Sequence, residues 1–397
     1  MPLPLERRAD IRGGASGEWA SGRPYFGLGL GAFLALYLPQ PLLPELDRDL
    51  GTSPAVTGLV MTAALLGFAA AGLLPEGEPA RTLRWATWLT VAASLVAALS
   101  PDVWLLLPAR AAQGIGIGLL VAGGLADVPR RMPPAMAGRL TGAMIAGTAL
   151  GGLGGRLVGY TGNFLSWRGA FLLGGAGVLS VVLLSLRALP LATPPLQKPR
   201  AGPPASSPIS LIIAGSCILF VSVGMFDLLP YRLGGPPFNL PPLLGDLIYL
   251  AFVPATFAGV VAGRAIDRFG RRVVILATAV FDVSLLVLGL FPSLAAVAVA
   301  ATAAICGTVS LHVAHSGAAA AYGRATVGRY LTAYYVGGAA AAPLTAASYL
   351  RWGWPGVILP LCAATLIVAG LALAREQYHG AHGQQPDAGV VPPRLSG

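Results

Sequence analysis

Charge is what this sequence has least of. Only 11% of its 397 residues are Asp, Glu, Lys or Arg, against 55% hydrophobic ones, whereas an ordinary soluble domain carries about a quarter charged residues. The shortage excludes a water-solvated fold. Catalytic sets are missing as well: no Ser/His/Asp arrangement, no metalloprotease motif and no carboxylates clustered at helical spacing, so an enzyme is not expected. No Gly-x-x-x-x-Gly-Lys-Ser loop occurs, so ATP is not an evident energy source. Cys217, Cys306 and Cys362 all fall in apolar stretches without Cys-x-x-Cys spacing and read as small core residues. His312 and His315, one turn apart, have no further ligands in view, so neither a metal nor a cofactor is called for. The start MPLPLERRAD has no apolar core, and no cleaved signal peptide is expected.

What is abundant is long apolar runs. Crossing ~30 Å of hydrocarbon takes about 20 residues of helix, and twelve such stretches fit, at 24–44, 54–75, 83–99, 103–125, 139–161, 168–188, 210–231, 244–263, 273–291, 294–317, 329–350 and 354–374. The Pro-rich segment LATPPLQKPRAGPPASSP can neither span nor continue a helix. The predicted organisation is therefore a disordered tail over 1–23, a six-helix bundle over 24–188, a linker over 189–209, a second six-helix bundle over 210–374 and a polar tail over 375–397. The net charge of +10 reflects topology rather than nucleic-acid binding. Of the 26 basic residues, twenty fall on one set of loops and tails, four (Arg48, Arg168, Arg232, Arg351) on the other, and Arg110 and Arg156 lie inside helices. That asymmetry puts both termini in the cytoplasm of a multi-pass plasma-membrane protein.

The two halves repeat. Gly138-Arg139-Leu140 opens the fifth stretch and Gly328-Arg329-Tyr330 the eleventh; Gly147 matches Gly337 at the same offset of 190; Trp167 and either Trp352 or Trp354 close them. Duplicated units of this kind place a substrate path at their interface near mid-membrane.

Three motifs carry more than hydropathy. Gly263-Arg-Ala-Ile-Asp267-Arg268-Phe-Gly270-Arg271-Arg272 lies between the eighth and ninth stretches; Gly263 would allow close helix approach, Gly270 a tight turn, and Asp267 a breakable pairing with a neighbouring Arg. Arg110-Ala-Ala-Gln113-Gly114-Ile-Gly116 places a cation inside the fourth stretch, which costs ~3 kcal/mol unless it faces a cavity, a partner or backbone carbonyls. Gly147, Gly151, Gly152 and Gly155 on the fifth form a small-residue seam suited to backbone contact, which leaves Arg156 unexplained by packing.

These motifs resemble those of the major facilitator superfamily: the loop Gly-x-x-x-Asp-Arg-x-Gly-Arg-Arg, the Arg-x-x-Gln-Gly-x-Gly signature, and a fifth-helix motif of antiporters. The last lacks here its Gly-Pro pair, and the first-half counterpart of the loop is lost after Gly72, where Glu76 or Glu78 could supply the acid. The stretches LALYLPQPLLPEL, LGGLGGRLVGY and LHVAHSGAAAAYGRATVGRYLTAYYVGG look like the bacterial arabinose-efflux-like or acriflavine-sensitivity inner-membrane branch. The resemblance implies an all-α major facilitator fold of two pseudo-symmetric six-helix bundles, acting as a monomeric, proton-coupled exporter of a small organic solute. It also implies that Arg110 takes part in proton coupling, and that helices one, four, seven and ten line the cavity, which favours Asp227 as proton carrier. Tyr37, Gln40, Gln113, Tyr334 and Tyr335 are the expected cargo contacts, with Arg156, His312 and His315 on the same pathway. An importer or uniporter, favoured by the missing proline, and a transport-inactive sensor, favoured by the eroded loop, stay open.

Overall fold

The computed structural model describes residues 22–74, 78–131, 134–189, 209–322 and 324–382, with side chains omitted at 128–139, 320, 321, 324, 325 and 375–382. Most of the expected linker and both tails lie outside these residues. Those described form twelve long helices and no strand: α1 Gly22–Leu50, α2 Pro54–Ala71, α3 Pro79–Leu99, α4 Val103–Arg131, α5 Pro134–Tyr160, α6 Gly162–Ala188, α7 Ile209–Gly234, α8 Pro242–Phe269, α9 Arg271–Leu288, α10 Leu294–Ala321, α11 Arg324–Trp352 and α12 Pro355–His382. Nine are long and apolar enough to cross a membrane by composition alone. Of the others, α9 carries Arg271, Arg272 and Asp282 within 18 residues. Leu95, Leu184, Phe257, Phe281 and Leu366 point outward and exposed, an arrangement that lipid solvates and water does not.

Helix ends follow local chemistry. Gly51 takes a left-handed conformation (φ 61°) to stop α1, and Pro54 opens α2 at its first position, where its missing N–H costs nothing. Glu78 accepts from Ala80 N and Arg81 N at the start of α3, so this acid is a helix cap; Glu76 lies outside the described residues. Gly270 makes the α8–α9 turn with φ 83°, a conformation that side chains disfavour. The rest of that motif departs from expectation. Gly263 to Phe269 belong to α8 rather than to a loop, a Cβ on Gly263 would meet open space instead of a neighbouring helix, and Asp267 is exposed with no ion pair among the described residues. Arg268 lies over the Phe269 ring at 5.1 Å. At the other end of the chain, the stretch from 375 expected to be tail continues as helix to His382.

Glycine sets the close approaches inside each half. Along α5, a Cβ on Gly147, Gly151, Gly155 or Gly159 would strike the backbone carbonyl of Phe26, Leu30, Leu34 or Leu38 on α1, a register of four on both helices. Gly114 meets the Ala64 carbonyl in the same way, joining α4 to α2. The duplication reappears in these contacts: Gly337 on α11 meets Ser216 on α7 as Gly147 meets Phe26, each partner displaced by 190. One pair even exchanges sizes. Where Gly155 faces Leu34 in the first half, Thr345 faces Gly224 in the second. Trp354, buried and donating from Nε1 to the Gly289 carbonyl at 2.9 Å, is the counterpart of buried Trp167, while Trp352 is exposed. Gly147→Val and Gly337→Val are therefore each expected to cut the yield of folded protein by several-fold, since a backbone carbonyl cannot rotate away. Fluorescence-detected size exclusion in detergent checks this, with Gly142→Ala, which meets nothing, as control.

Among the described residues the halves meet mainly along α1 with α7, α2 with α11, and α5 with α8. Contact between α2 and α11 runs from Gly58 against Ala342, through the Thr62 hydroxyl donating to the Ala339 carbonyl (2.7 Å), to Gly72 beside Thr332. The α1–α2, α5–α6 and α7–α8 connections lie at one end of the molecule, the far end; the start of α1 at Gly22 and the end of α12 lie at the other, the terminal end.

Candidate functional site

The site begins where α1 loses its regular hydrogen bonding. Pro39 and Pro41 lack N–H groups, so the chain turns through 38–39 and continues as a 3-10 segment over Gln40–Leu42. Two consequences follow from that break.

The first is that Gln40 is turned into the seam between the halves, fully buried. Its Oε1 accepts from Arg156 Nε on α5 at 2.7 Å, and its Nε2 donates to Asp227 Oδ1 on α7 at 2.6 Å. A neutral amide thus relays between a cation of the first half and an acid of the second, and Arg156 reaches Asp227 only through it. Asp227 is buried, and its Oδ2 has no hydrogen-bond partner among the described residues. Arg156 also donates to the Gly152 carbonyl at 2.6 Å, and its guanidinium lies 4.3 Å from the Tyr37 ring centroid and 3.7 Å from that of Phe252. Stacking of this kind holds a desolvated cation on aromatic faces from both halves. Gly152 consequently faces Arg156 and Tyr37, not a helix backbone. It is a site glycine rather than part of the packing seam to which its spacing assigned it.

The second consequence concerns Arg110. Its partners all lie in the first half: NH1 donates to the Ala35 carbonyl at 3.1 Å and to Gln113 Oε1, NH2 to the Leu36 carbonyl at 2.9 Å, and Nε to the Val60 carbonyl at 3.3 Å. Ala35 is four residues before Pro39, so its carbonyl has no helical N–H to bond, and Arg110 supplies the donor. Gln113 passes the chain on to Ser94 Oγ at 2.6 Å. The structure thus places Arg110 and Gln113 inside the first bundle and not at the seam. Gln113, an expected cargo contact, has both ends of its amide occupied.

From the Arg156 pair an aromatic ladder runs toward the terminal end. Tyr37 touches Phe33, Phe33 touches Phe68 edge-on, and Phe68 on α2 lies 3.9 Å from Tyr335 on α11, centroid to centroid. Tyr335 meets Tyr334 edge-on at 5.4 Å, and Tyr334 meets His312 at 4.5 Å. His312 Nδ1 pairs with the Tyr330 hydroxyl at 2.9 Å. His315 is buried, with Nδ1 donating to the Leu311 carbonyl one turn back. Of the expected pathway residues, the structure gathers Tyr37, Gln40, Arg156, Asp227, Tyr334, Tyr335 and His312 along one path.

Several contacts, in the site and beside it, have partners that the sequence does not reveal. Phe252 is one of many aromatics in an apolar run. Asn163 at the start of α6 donates to Asp246 Oδ2 at 3.0 Å, a second bond across the halves at the far end. Tyr25 donates to buried Asp127 at 3.0 Å, joining α1 to α4. Asp282, away from the seam, fits a notch over Gly307 and accepts from Thr365 at 3.4 Å. One clue was available: the offset of 190 pairs Tyr37 with Asp227, so the acid stands where the other half has an aromatic ring.

Two six-helix units meeting at a buried polar relay, with lipid-compatible outer faces, define a polytopic membrane carrier fold. The Major Facilitator Superfamily model matches residues 25–236, and the chain belongs to that family. It is 28% identical over 269 residues to an uncharacterized MFS-type transporter, YybF, of Bacillus subtilis, a match covering 62% of this chain and 65% of that protein. It is 30% identical over 373 residues to the probable transporter SCO4007 of Streptomyces coelicolor, covering 85% and 83%. Among solved structures, a bacterial homologue of the human lysosomal transporter Spinster, inward-facing and unoccupied, superposes with a TM-score of 0.66 at 16% identity, covering 91% of this chain and 97% of that one.

Proposed function

We propose that this protein is a secondary transporter of the bacterial inner membrane, with both termini cytoplasmic, that exports a small organic amphiphile in exchange for protons. The observation carrying the proposal is the Arg156–Gln40–Asp227 relay. Asp227 has one oxygen held from the opposite half and one without a partner among the described residues, so it can be neutralised by a proton or by a cationic group on cargo. A hydrogen bond to a charged carboxylate is about twice as strong as one to a neutral acceptor. The relay is therefore tightest when Asp227 is ionised and empty, and either ligand loosens it. An unloaded carrier then stays latched at the far end, whereas a proton or cargo lets α7 part from α1. Alternation between two neutral states and one locked charged state gives exchange rather than leak. Aromatic faces from Phe33 to Tyr334 suit a flat or amphiphilic solute without fixed orientation.

The test is flux of tetraphenylphosphonium in proteoliposomes of the purified full chain, with a pH gradient imposed in either direction. Efflux that follows the gradient supports the proposal. Flux indifferent to the gradient overturns proton coupling, and facilitated equilibration of a neutral sugar would favour the uniporter instead.

A further inference from the structure

Away from the seam, α3 presents Arg81, Arg84, Trp85 and Trp88 on one face, lining a surface groove of ≈390 Å³. Spacings of three and four put these residues side by side, with each Trp four residues, or about 6 Å of helix rise, beyond an Arg. Trp85 is 65% and Trp88 58% exposed, values that suit the membrane–water boundary, where indole rings concentrate. Both guanidiniums are exposed, and neither has an ion-pair partner among the described residues. Their position adds a second argument. They occupy the first two turns of α3, the positive end of its dipole, where cations are disfavoured. The nearby carboxylate of Glu78 caps the backbone at Ala80 and Arg81.

We propose that this groove seats an anionic glycerophospholipid, its phosphodiester between Arg81 and Arg84 and its glycerol and upper acyl chains against Trp85 and Trp88. Charge complementarity fixes the sign of the ligand, and the two indoles beyond the cations fix it as a lipid rather than a soluble phosphate. The inference needs only that the chain lies in a bilayer, and it stands or falls independently of proton coupling.

Native mass spectrometry of the full chain, titrated with phosphatidylglycerol, with phosphatidylcholine of the same acyl chains and with glycerol 3-phosphate, tests it. In the Arg81→Gln/Arg84→Gln variant the first phosphatidylglycerol is expected to bind about thirtyfold more weakly, from the attraction of two arginines to an anionic headgroup. Phosphatidylcholine, whose choline offsets the charge of the same phosphodiester, should lose far less. Arg264→Gln/Arg268→Gln, which removes the same charge from another exposed stretch at the same end, should leave the first phosphatidylglycerol bound. Equal loss in both variants, no loss in the first, or glycerol 3-phosphate binding as tightly as lipid would each overturn the site. As a readout independent of charge, brominated phosphatidylglycerol should quench less Trp emission in Trp85→Phe/Trp88→Phe than in the parent, and undiminished quenching counts against the groove.

Discussion

Asp227→Asn is expected to abolish gradient-driven accumulation, reducing it to the leak of empty vesicles, while equilibrium exchange of cargo across the same vesicles survives. The substitution keeps the shape of the side chain and an acceptor for Gln40 Nε2, so the bond across the halves is retained in its weaker, neutral form. What disappears is the carboxylate of the relay, whose second oxygen has no hydrogen-bond partner among the described residues. The measurement is a paired assay, uphill efflux under an imposed pH gradient and counterflow at equal pH. Loss of both would mean that cargo needs the Asp227 charge to be carried at all, or that the side chain holds the fold. Survival of both would remove it from the mechanism.

Arg156 supplies the complementary test. Arg156→Ala leaves a buried carboxylate without its countercharge, a loss of about 3–5 kcal/mol, and also takes a cation from between Tyr37 and Phe252. Adding Asp227→Asn to Arg156→Ala should restore much of that stability, because the orphaned charge goes with it. Strong non-additivity in apparent Tm is the signature of residues acting as one unit through Gln40.

What was legible in the sequence was whatever repeats within one helix. Twelve apolar runs located the helices because lipid imposes a minimum length on each, and a glycine every four residues located the α5 seam because its partner backbone has the same period. Arg156, Gln40 and Asp227 stood out individually, since a charge or amide in an apolar run demands a partner. The partners were not legible. Asn163–Asp246 and Tyr25–Asp127 join residues 83 and 102 apart in the chain, and no local pattern encodes which helix faces which. Motif matching misled in the opposite direction at Gly263, where the letter fits the pattern and the space around it is open. At α1 the expected end near 44 fell short of Leu50, because ELDRDL is amphipathic: Glu45 and Asp49 bind Trp167 and Arg168 at the kinked start of α6, with Asp49 Oδ2 at 2.6 Å from both Trp167 Nε1 and Arg168 NH1. Polarity there is used for holding two helix ends together, and a hydropathy profile reads it as a loop.

Arg110→Met is expected to fail as a folded protein before it fails as a transporter. Methionine fills comparable space, but three backbone carbonyls lose their donor, and an unsatisfied buried acceptor costs about 1–3 kcal/mol. Ala35 is the worst placed of the three, because Pro39 offers its carbonyl no N–H in return. Pro39→Ala restores that N–H at the position four residues on, so Pro39→Ala/Arg110→Met should be more stable than Arg110→Met alone, although each single change harms the parent. Such sign reversal is what a shared hydrogen-bond deficit predicts, and a proton-relay role for Arg110 predicts none of it. Apparent Tm in detergent for the four proteins of the cycle decides between them. If Arg110→Met keeps the parent Tm while losing pH-driven flux, the guanidinium belongs to the proton pathway, and the break in α1 must be held by something else.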